Sequence, residues 1–214
     1  MTDGGPLADQ RAPREVLRRA AQYQGNKWSL VVDDVLLDGG VHVRRDVVVH
    51  PGAVGVVALD EQDRVVLIRQ YRHPVEWELW ELPAGLLDEP GESPLAAAKR
   101  ELFEEAHLRA GEWDTLLDMY SSPGMTSELV RVYLARQLSE VPDNERHVQT
   151  EEERDMPTRR LDLTQACQAV MEGRIHNAMA VAGVLATDQA RRTEWSGLRP
   201  ADEPWLTARK PPLV

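Results

Sequence analysis

Cysteine is almost absent from this chain: Cys167 is the single one in 214 residues. A lone thiol excludes an internal disulfide, and its surroundings, "LTQACQAVMEG", supply none of the partners that a nucleophilic thiolate needs. Cys167 is read as a small core residue. Long apolar runs are missing too. Nothing approaches the roughly 20 residues that cross a bilayer, and the stretch "MTDGGPLADQRAPREV" has no apolar signal segment. The expectation is a soluble, cytoplasmic protein without a membrane partner. Positive charge is short as well: 25 Lys and Arg stand against 36 Asp and Glu, for a formal net charge of −11. Affinity for nucleic acid comes largely from cations on phosphates, so DNA or RNA is not expected as the main partner. An acidic protein that handles phosphates would need metal cations.

The chain is long enough to bury a real core. Residues 1–13, with Gly4, Gly5, Pro6 and Pro13, read as a flexible tail. Residues 14–40 form an N-terminal hairpin region: "WSLVVDDVLLDGGVHVRRDVVVH" carries β-branched runs on both sides of the turn signal at Asp38, Gly39 and Gly40. Residues 41–190 read as the main domain. In it, "AVGVVALD" and "RVVLIRQYRH" flank a polar turn at Glu61, Gln62 and Asp63, which predicts a second hairpin. Residues 93–107 read as a helix. Ser93 can cap it, Pro94 suits its first turn, and Leu95, Ala98, Leu102 and Ala106 form an apolar stripe. Strand-like runs "DTLLDMYSS" and "ELVRVYLARQL" surround the loop "PGMTS". Two helices follow, the first closed by Gly173 and the second opened by Asn177, and residues 191–214 form a C-terminal tail. Strands first, one helix in the middle and helices at the end predict an α+β sandwich with a mixed sheet.

Glu101, Glu104 and Glu105 are spaced i, i+3 and i+4, so they project from one helix face, expected to lie opposite the Leu95, Ala98 and Leu102 stripe. Like charges at that spacing repel, and Arg100, four residues before Glu104, offsets only part of it. A divalent cation would remove the repulsion. Mg²⁺ takes oxygen ligands and leaves room for substrate phosphates, which makes a cluster of helix carboxylates a platform for phosphate chemistry. A solvated acidic helix face is the plainer reading of the same three residues.

The wider pattern is more specific. Gly85, Glu92, Arg100, Glu101, Leu102, Glu104 and Glu105 resemble the Nudix box, G-x5-E-x7-R-E-U-x-E-E-x-G-U with U apolar. Two departures are visible: six residues, "LLDEPG", separate Gly85 from Glu92, and His107 stands at the last glycine position. Added loop length is cheap. The resemblance implies a Nudix fold, an α/β/α sandwich with a mixed β-sheet, and hydrolysis of a nucleoside diphosphate linked to another moiety. It implies Mg²⁺, with Mn²⁺ as a substitute, held by Glu101, Glu104, Glu105 and the backbone carbonyl of Ala84. Arg100 would orient the carboxylates.

Further matches point to one branch of that family. Pro123 lies 16 residues after His107, and "QYRH" is followed by "WELPAG"; both resemble the ADP-ribose pyrophosphatase branch. "EEERDM" resembles its acidic loop, in which Glu153, or its neighbour Glu152, helps activate water or binds a further metal. The resemblance implies substrate contacts from Arg72 to a phosphate, from Leu86, and from Ser122, Pro123, Gly124 and Glu128 to the terminal ribose. A strand-end surface cation and a tight turn are the alternative readings of Arg72 and of "SSPGMTSE". The N-terminal hairpin region resembles a segment exchanged between the subunits of a homodimer. Trp28 would then stack on the adenine, with Arg45 and Asp46 nearby, unless it merely packs in a core or interface.

The leading expectation is hydrolysis of ADP-ribose to AMP and ribose 5-phosphate. A sister enzyme for another nucleoside diphosphate sugar, such as GDP-mannose, would look nearly the same. A non-catalytic ADP-ribose sensor within a transcription regulator would need a basic DNA-binding domain, and the residues after Ala190 are too few and too Pro-rich for one. The tail carries Trp195 and Trp205, which would wrap a partner subunit or pack on their own domain.

Overall fold

Two stretches of this chain are apolar at consecutive positions, and in the computed structural model, which describes residues 7–147 and 156–205, both are buried on two faces. They are β4 (Ala53–Ala58) and β5 (Arg64–Arg72). Successive strand residues point to opposite sides. Val54, Val56 and Ala58 therefore enter one core, while Ala53 and Val57 enter another. β9 (Leu129–Glu140) divides in the same way, with Val130, Val132 and Leu134 on one side and Tyr133 and Ala135 on the other. A strand covered on both sides needs no polar face, which is why alternation is missing from these runs.

The main sheet has five strands in the order β11-β8-β9-β4-β7, with β8 at Leu108–Tyr120, β7 at Ala84–Leu86 and β11 at Arg199–Pro200. β4 and β9 are parallel and the other pairs antiparallel, so the sheet is mixed. α1 (Pro94–Ala106) covers one face through Ala97, Ala98, Leu102 and Ala106. α2 (Leu163–Met171) and α3 (Ala178–Arg192) lie on the other, with Leu163, Ala166, Ala180 and Val184 in the second core. This is the α/β/α sandwich expected of the sequence. The caps also match: Ser93 accepts from the Ala96 N–H, and Asn177 from the Ala180 N–H. Gly173, at φ 67, follows the end of α2.

The second predicted hairpin is corrected. β4 and β5 follow each other through a tight turn but join different sheets; β5 pairs with β6 (Trp77–Glu81) and β10 (Thr158–Asp162) in a separate three-stranded sheet. The pairing at the turn stops at an isolated bridge between Leu59 and Val65 and a backbone hydrogen bond from the Asp60 N–H to the Arg64 carbonyl. Asp60, nearly buried, holds the turn by accepting from the N–H groups of Gln62 and Arg64 and from the Arg64 guanidinium. Burial alone would raise its pKa, but these donors together hold it below the ordinary value. The turn is local and was legible in the sequence. The splay beyond it is not local, because two strands with two apolar faces each gain more by entering two sheets than by pairing.

The N-terminal region is a three-stranded antiparallel sheet, β1 (Glu15–Gln24), β2 (Ser29–Leu37) and β3 (Val41–Val49), with the expected turn at Asp38–Gly40. β1 is a strand that its alternating apolar content does not announce; eight of its ten positions are exposed. At the other end, the chain to Trp205 packs on its own domain. Arg131 of β9, 1% exposed, forms a two-pronged ion pair with Asp118 at 2.7 and 3.0 Å and donates to the backbone carbonyls of Glu203 and Pro204. Its guanidinium lies 5.1 Å from the Trp205 ring, and Arg136 lies 4.7 Å from that of Trp195.

Candidate active site

The edge strand β7 and the helix α1 make the centre of the site. The backbone N–H of Ala84 donates to Glu105 at 2.8 Å. Next to it, a Cβ on Gly85 would stand 1.8 Å from Glu101 Oε1, so the carboxylate lies directly over the glycine backbone. Any side chain at 85 would displace it. Glu101 and Glu105 are 7% and 5% exposed. The sequence reading put the three carboxylates on a face turned away from the apolar stripe; instead Glu101 and Glu105 are buried beside it. The reason is that β7 offers a side-chain-free backbone and a free N–H at the helix surface, which compensates the burial of charge.

Arg100 ties the helix carboxylates together. Its Nη1 donates to Glu101 at 2.6 Å and to Glu104 at 3.1 Å, while Nε and Nη2 grip Glu92 at 3.0 and 2.9 Å. The Glu92 hydrogen bond, then the neighbouring acids, hold the guanidinium pKa above its usual range despite partial burial. The longer loop before Glu92 has therefore not moved it out of reach of Arg100. His107 takes a left-handed conformation, φ 52, and its N–H closes the helix on Leu102 and Phe103 carbonyls. The exit geometry suited to glycine is kept with a histidine in place.

Among the described residues, no three acidic, His or Cys side chains converge on one point. The donor set nevertheless suits a hard divalent cation in kind: carboxylates of Glu101, Glu104 and Glu105, two of them buried, and the nearby carbonyl of Ala84. Glu152 and Glu153 lie outside the described residues.

A cleft of about 450 Å³ opens beside β7. Four of the expected residues, Arg72, Ala84, Leu86 and Glu128, line it. So do residues the sequence reading missed, chiefly His50, Glu81 and Ser121. Glu81, 2% exposed, receives the Arg72 guanidinium in a two-pronged ion pair at 2.9 and 2.7 Å. Its place in "WELPAG" was the one signal that could have found it. His50 and Ser121 carry no such signal. The His50 Nδ1 accepts from the Gly52 N–H at 3.1 Å, and its Nε2 lies 3.6 Å from Glu128 Oε1. Burial lowers the His50 pKa, and Glu128 opposes this only in part.

Other expected residues stand apart from the cleft lining. Ser122, Pro123 and Gly124 are exposed in a turn in which the Ser122 carbonyl accepts from Met125 and Thr126, and the turn is docked on β3 through Val48. Trp28, 46% exposed, sits between β1 and β2 with its ring 5.6 Å from that of Tyr23. Arg45 and Asp46 are exposed on β3, opposite Asp33 and Val32 of β2.

Comparison with known proteins agrees with this geometry. Residues 49–180 match the model of the NUDIX domain. An ADP-ribose pyrophosphatase of Mycobacterium tuberculosis is 42% identical over 192 residues, covering 90% of this chain and 91% of that protein. A methanol dehydrogenase activator of Bacillus methanolicus is 36% identical over 162 residues, covering 76% of this chain and 85% of its own. A crystal structure described as an ADP compounds hydrolase shares the fold, with TM-score 0.73 at 21% identity over 87% of this chain and 98% of that one. With residues 49–180 matching the NUDIX domain and a relative 42% identical over 90% of the chain, this chain belongs to the Nudix family.

Proposed function

We propose that the protein hydrolyses the pyrophosphate of ADP-ribose, giving AMP and ribose 5-phosphate. The observation that carries this is the seating of two buried carboxylates, Glu101 and Glu105, on the Ala84–Gly85 backbone at the wall of a cleft that also holds Arg72 and Glu128. The 42% identity to an ADP-ribose pyrophosphatase supports the substrate.

Glu101, Glu104, Glu105 and the Ala84 carbonyl would hold the divalent ion, for which Mg²⁺ is the reading and Mn²⁺ a substitute. When bound, such an ion neutralises phosphate charge and makes a water more acidic. The chain's own residues do the rest. Arg100 pins Glu92, Glu101 and Glu104 in one cluster, so that their positions do not depend on the substrate. Arg72, oriented by Glu81 at the cleft wall, is the cation that meets a phosphate of the substrate. Glu128 accepts from the sugar. Glu153 or Glu152 is assigned the proton from the attacking water.

A homodimer in the cytoplasm, with the sheet of residues 15–49 reaching the partner and Trp28, Arg45 and Asp46 meeting its adenine, is part of the same reading. Apolar side chains left open on that sheet, Val16, Leu17 and Val41, support it. The test is product analysis by chromatography after incubation with Mg²⁺ and, separately, ADP-ribose, GDP-mannose, NADH, diadenosine polyphosphates and 8-oxo-dGTP. AMP and ribose 5-phosphate forming fastest from ADP-ribose is the expected result. Faster cleavage of another compound would overturn the substrate assignment, and binding of ADP-ribose without cleavage would make the protein a sensor.

A further inference from the structure

One group of polar side chains in the cleft has no part in holding a metal or a phosphate: His50, Ser121 and Glu128. Their positions come from two connections. His50 sits between β3 and β4, and Ser121 and Glu128 are the two ends of the loop that joins β8 to β9. The His50 backbone N–H donates to Ser127 Oγ at 3.0 Å, and its ring Nδ1 accepts from the Gly52 N–H. An imidazole whose Nδ1 accepts must carry its proton on Nε2 when neutral. That proton lies on the nitrogen 3.6 Å from Glu128 Oε1, too far for a direct hydrogen bond but close enough to attract the carboxylate. Ser121 Oγ–H donates to the other oxygen, Oε2. Each oxygen of Glu128 thus faces one donor.

The contrast with Glu81 is instructive. Glu81 gives both oxygens to the Arg72 guanidinium in a two-pronged pair. Glu128 faces a hydroxyl and, because burial lowers the His50 pKa, an uncharged imidazole at neutral pH. An ionised carboxylate has about four acceptor positions, so Glu128 keeps acceptor capacity and negative charge on the cleft wall. Such a group repels phosphate and attracts hydroxyls. Two adjacent hydroxyls on a sugar supply two donors at the spacing of its two oxygens.

We propose that His50 is a specificity-determining positioning residue: with Ser121 it orients the Glu128 carboxylate, so that the cleft selects nucleoside diphosphates whose far half carries free vicinal hydroxyls. This rests on the hydrolytic reading of the same cleft. Arg72 takes the phosphate, and the Glu128 end reads what is attached to it.

The test compares ADP-ribose with the butyl ester of ADP, which has the same diphosphate but no hydroxyl on the far side. His50→Asn keeps an acceptor for the Gly52 N–H and loses the Nε2 donor; His50→Gln keeps a donor at longer reach. His50→Asn should raise KM for ADP-ribose about tenfold while leaving kcat within about twofold, and should leave both constants for the butyl ester unchanged. His50→Gln should recover most of the loss. Unchanged turnover of the ester also shows that the variant is folded. An equal loss on both compounds, or none on either, overturns the proposal. Calorimetric binding of the same two ligands without metal separates this question from hydrolysis: a tenfold loss of affinity for ADP-ribose alone supports the role of His50 even if the wild-type protein turns over neither compound, a result that would overturn only the hydrolytic reading.

Discussion

Glu101 and Gly85 share one volume: the carboxylate occupies the space that any side chain at 85 would need, 1.8 Å from where a Cβ would stand. Gly85→Ala should therefore push Glu101 off β7 while leaving the apolar side of α1 untouched. Turnover should fall by about a hundredfold or more, since a displacement of about 1 Å in a catalytic group costs that much. Glu101→Gln should do the same without moving the backbone. Steady-state kinetics with Mg²⁺ checks both, and near-normal rates in either variant would remove Glu101 from the metal set.

Glu81→Gln tests how Arg72 is held. The amide cannot accept both guanidinium N–H groups, so Arg72 loses its fixed orientation in the cleft. KM for ADP-ribose should rise by about tenfold with a smaller change in kcat. If KM stays where it was, Arg72 does not meet the substrate.

Arg131→Ala removes a buried cation that pairs with Asp118 and holds the carbonyls of Glu203 and Pro204. Breaking a buried pair from one side costs about 3–5 kcal/mol, and Arg199, which also reaches Asp118 at 3.0 Å, should keep the loss near the lower end. Urea unfolding gives the number. A loss under about 1 kcal/mol, the level of an exposed pair, would show that the tail is not anchored there.

His50 makes stability depend on pH. Its folded pKa lies below the ordinary 6.5, chiefly through burial. Above pH 6.5 the folded and unfolded chains both hold it neutral, and its contribution is complete. As the pH falls below 6.5, the unfolded chain takes up a proton that the folded chain refuses, so stability is lost until the lowered folded pKa is reached. His50→Asn should flatten that part of the profile when urea midpoints are compared at pH 7.5 and 5.5, and an unchanged slope would show that His50 is not the group responsible.

Local signals carried far in this chain. Ser93, Asn177 and Gly173 mark helix ends where the sequence puts them, because a cap is decided by a few neighbouring residues. Arg100, Glu101, Glu104 and Glu105 were legible as one chemical unit because a helix converts fixed spacing into fixed proximity, whereas Gly85 and Glu92, which precede the helix, joined them only through the resemblance to the Nudix box. His50 and Ser121 were not legible, since they reach the cleft from separate loops with nothing in their own neighbourhoods to announce it, and Glu81 had only its place in "WELPAG".

By itself the sequence determined the family, the helix that carries the carboxylates, their pairing with Arg100 and the positions of most turns. These depend on contacts within a turn or two of the chain. The tertiary structure alone decided that β4 and β5 part into two sheets, that Glu101 and Glu105 are buried on β7, and that the tail to Trp205 closes on Arg131. Each of those outcomes depends on which surfaces meet across long stretches of chain, and burial of apolar faces with compensation of buried charge selects among partners that no local pattern distinguishes.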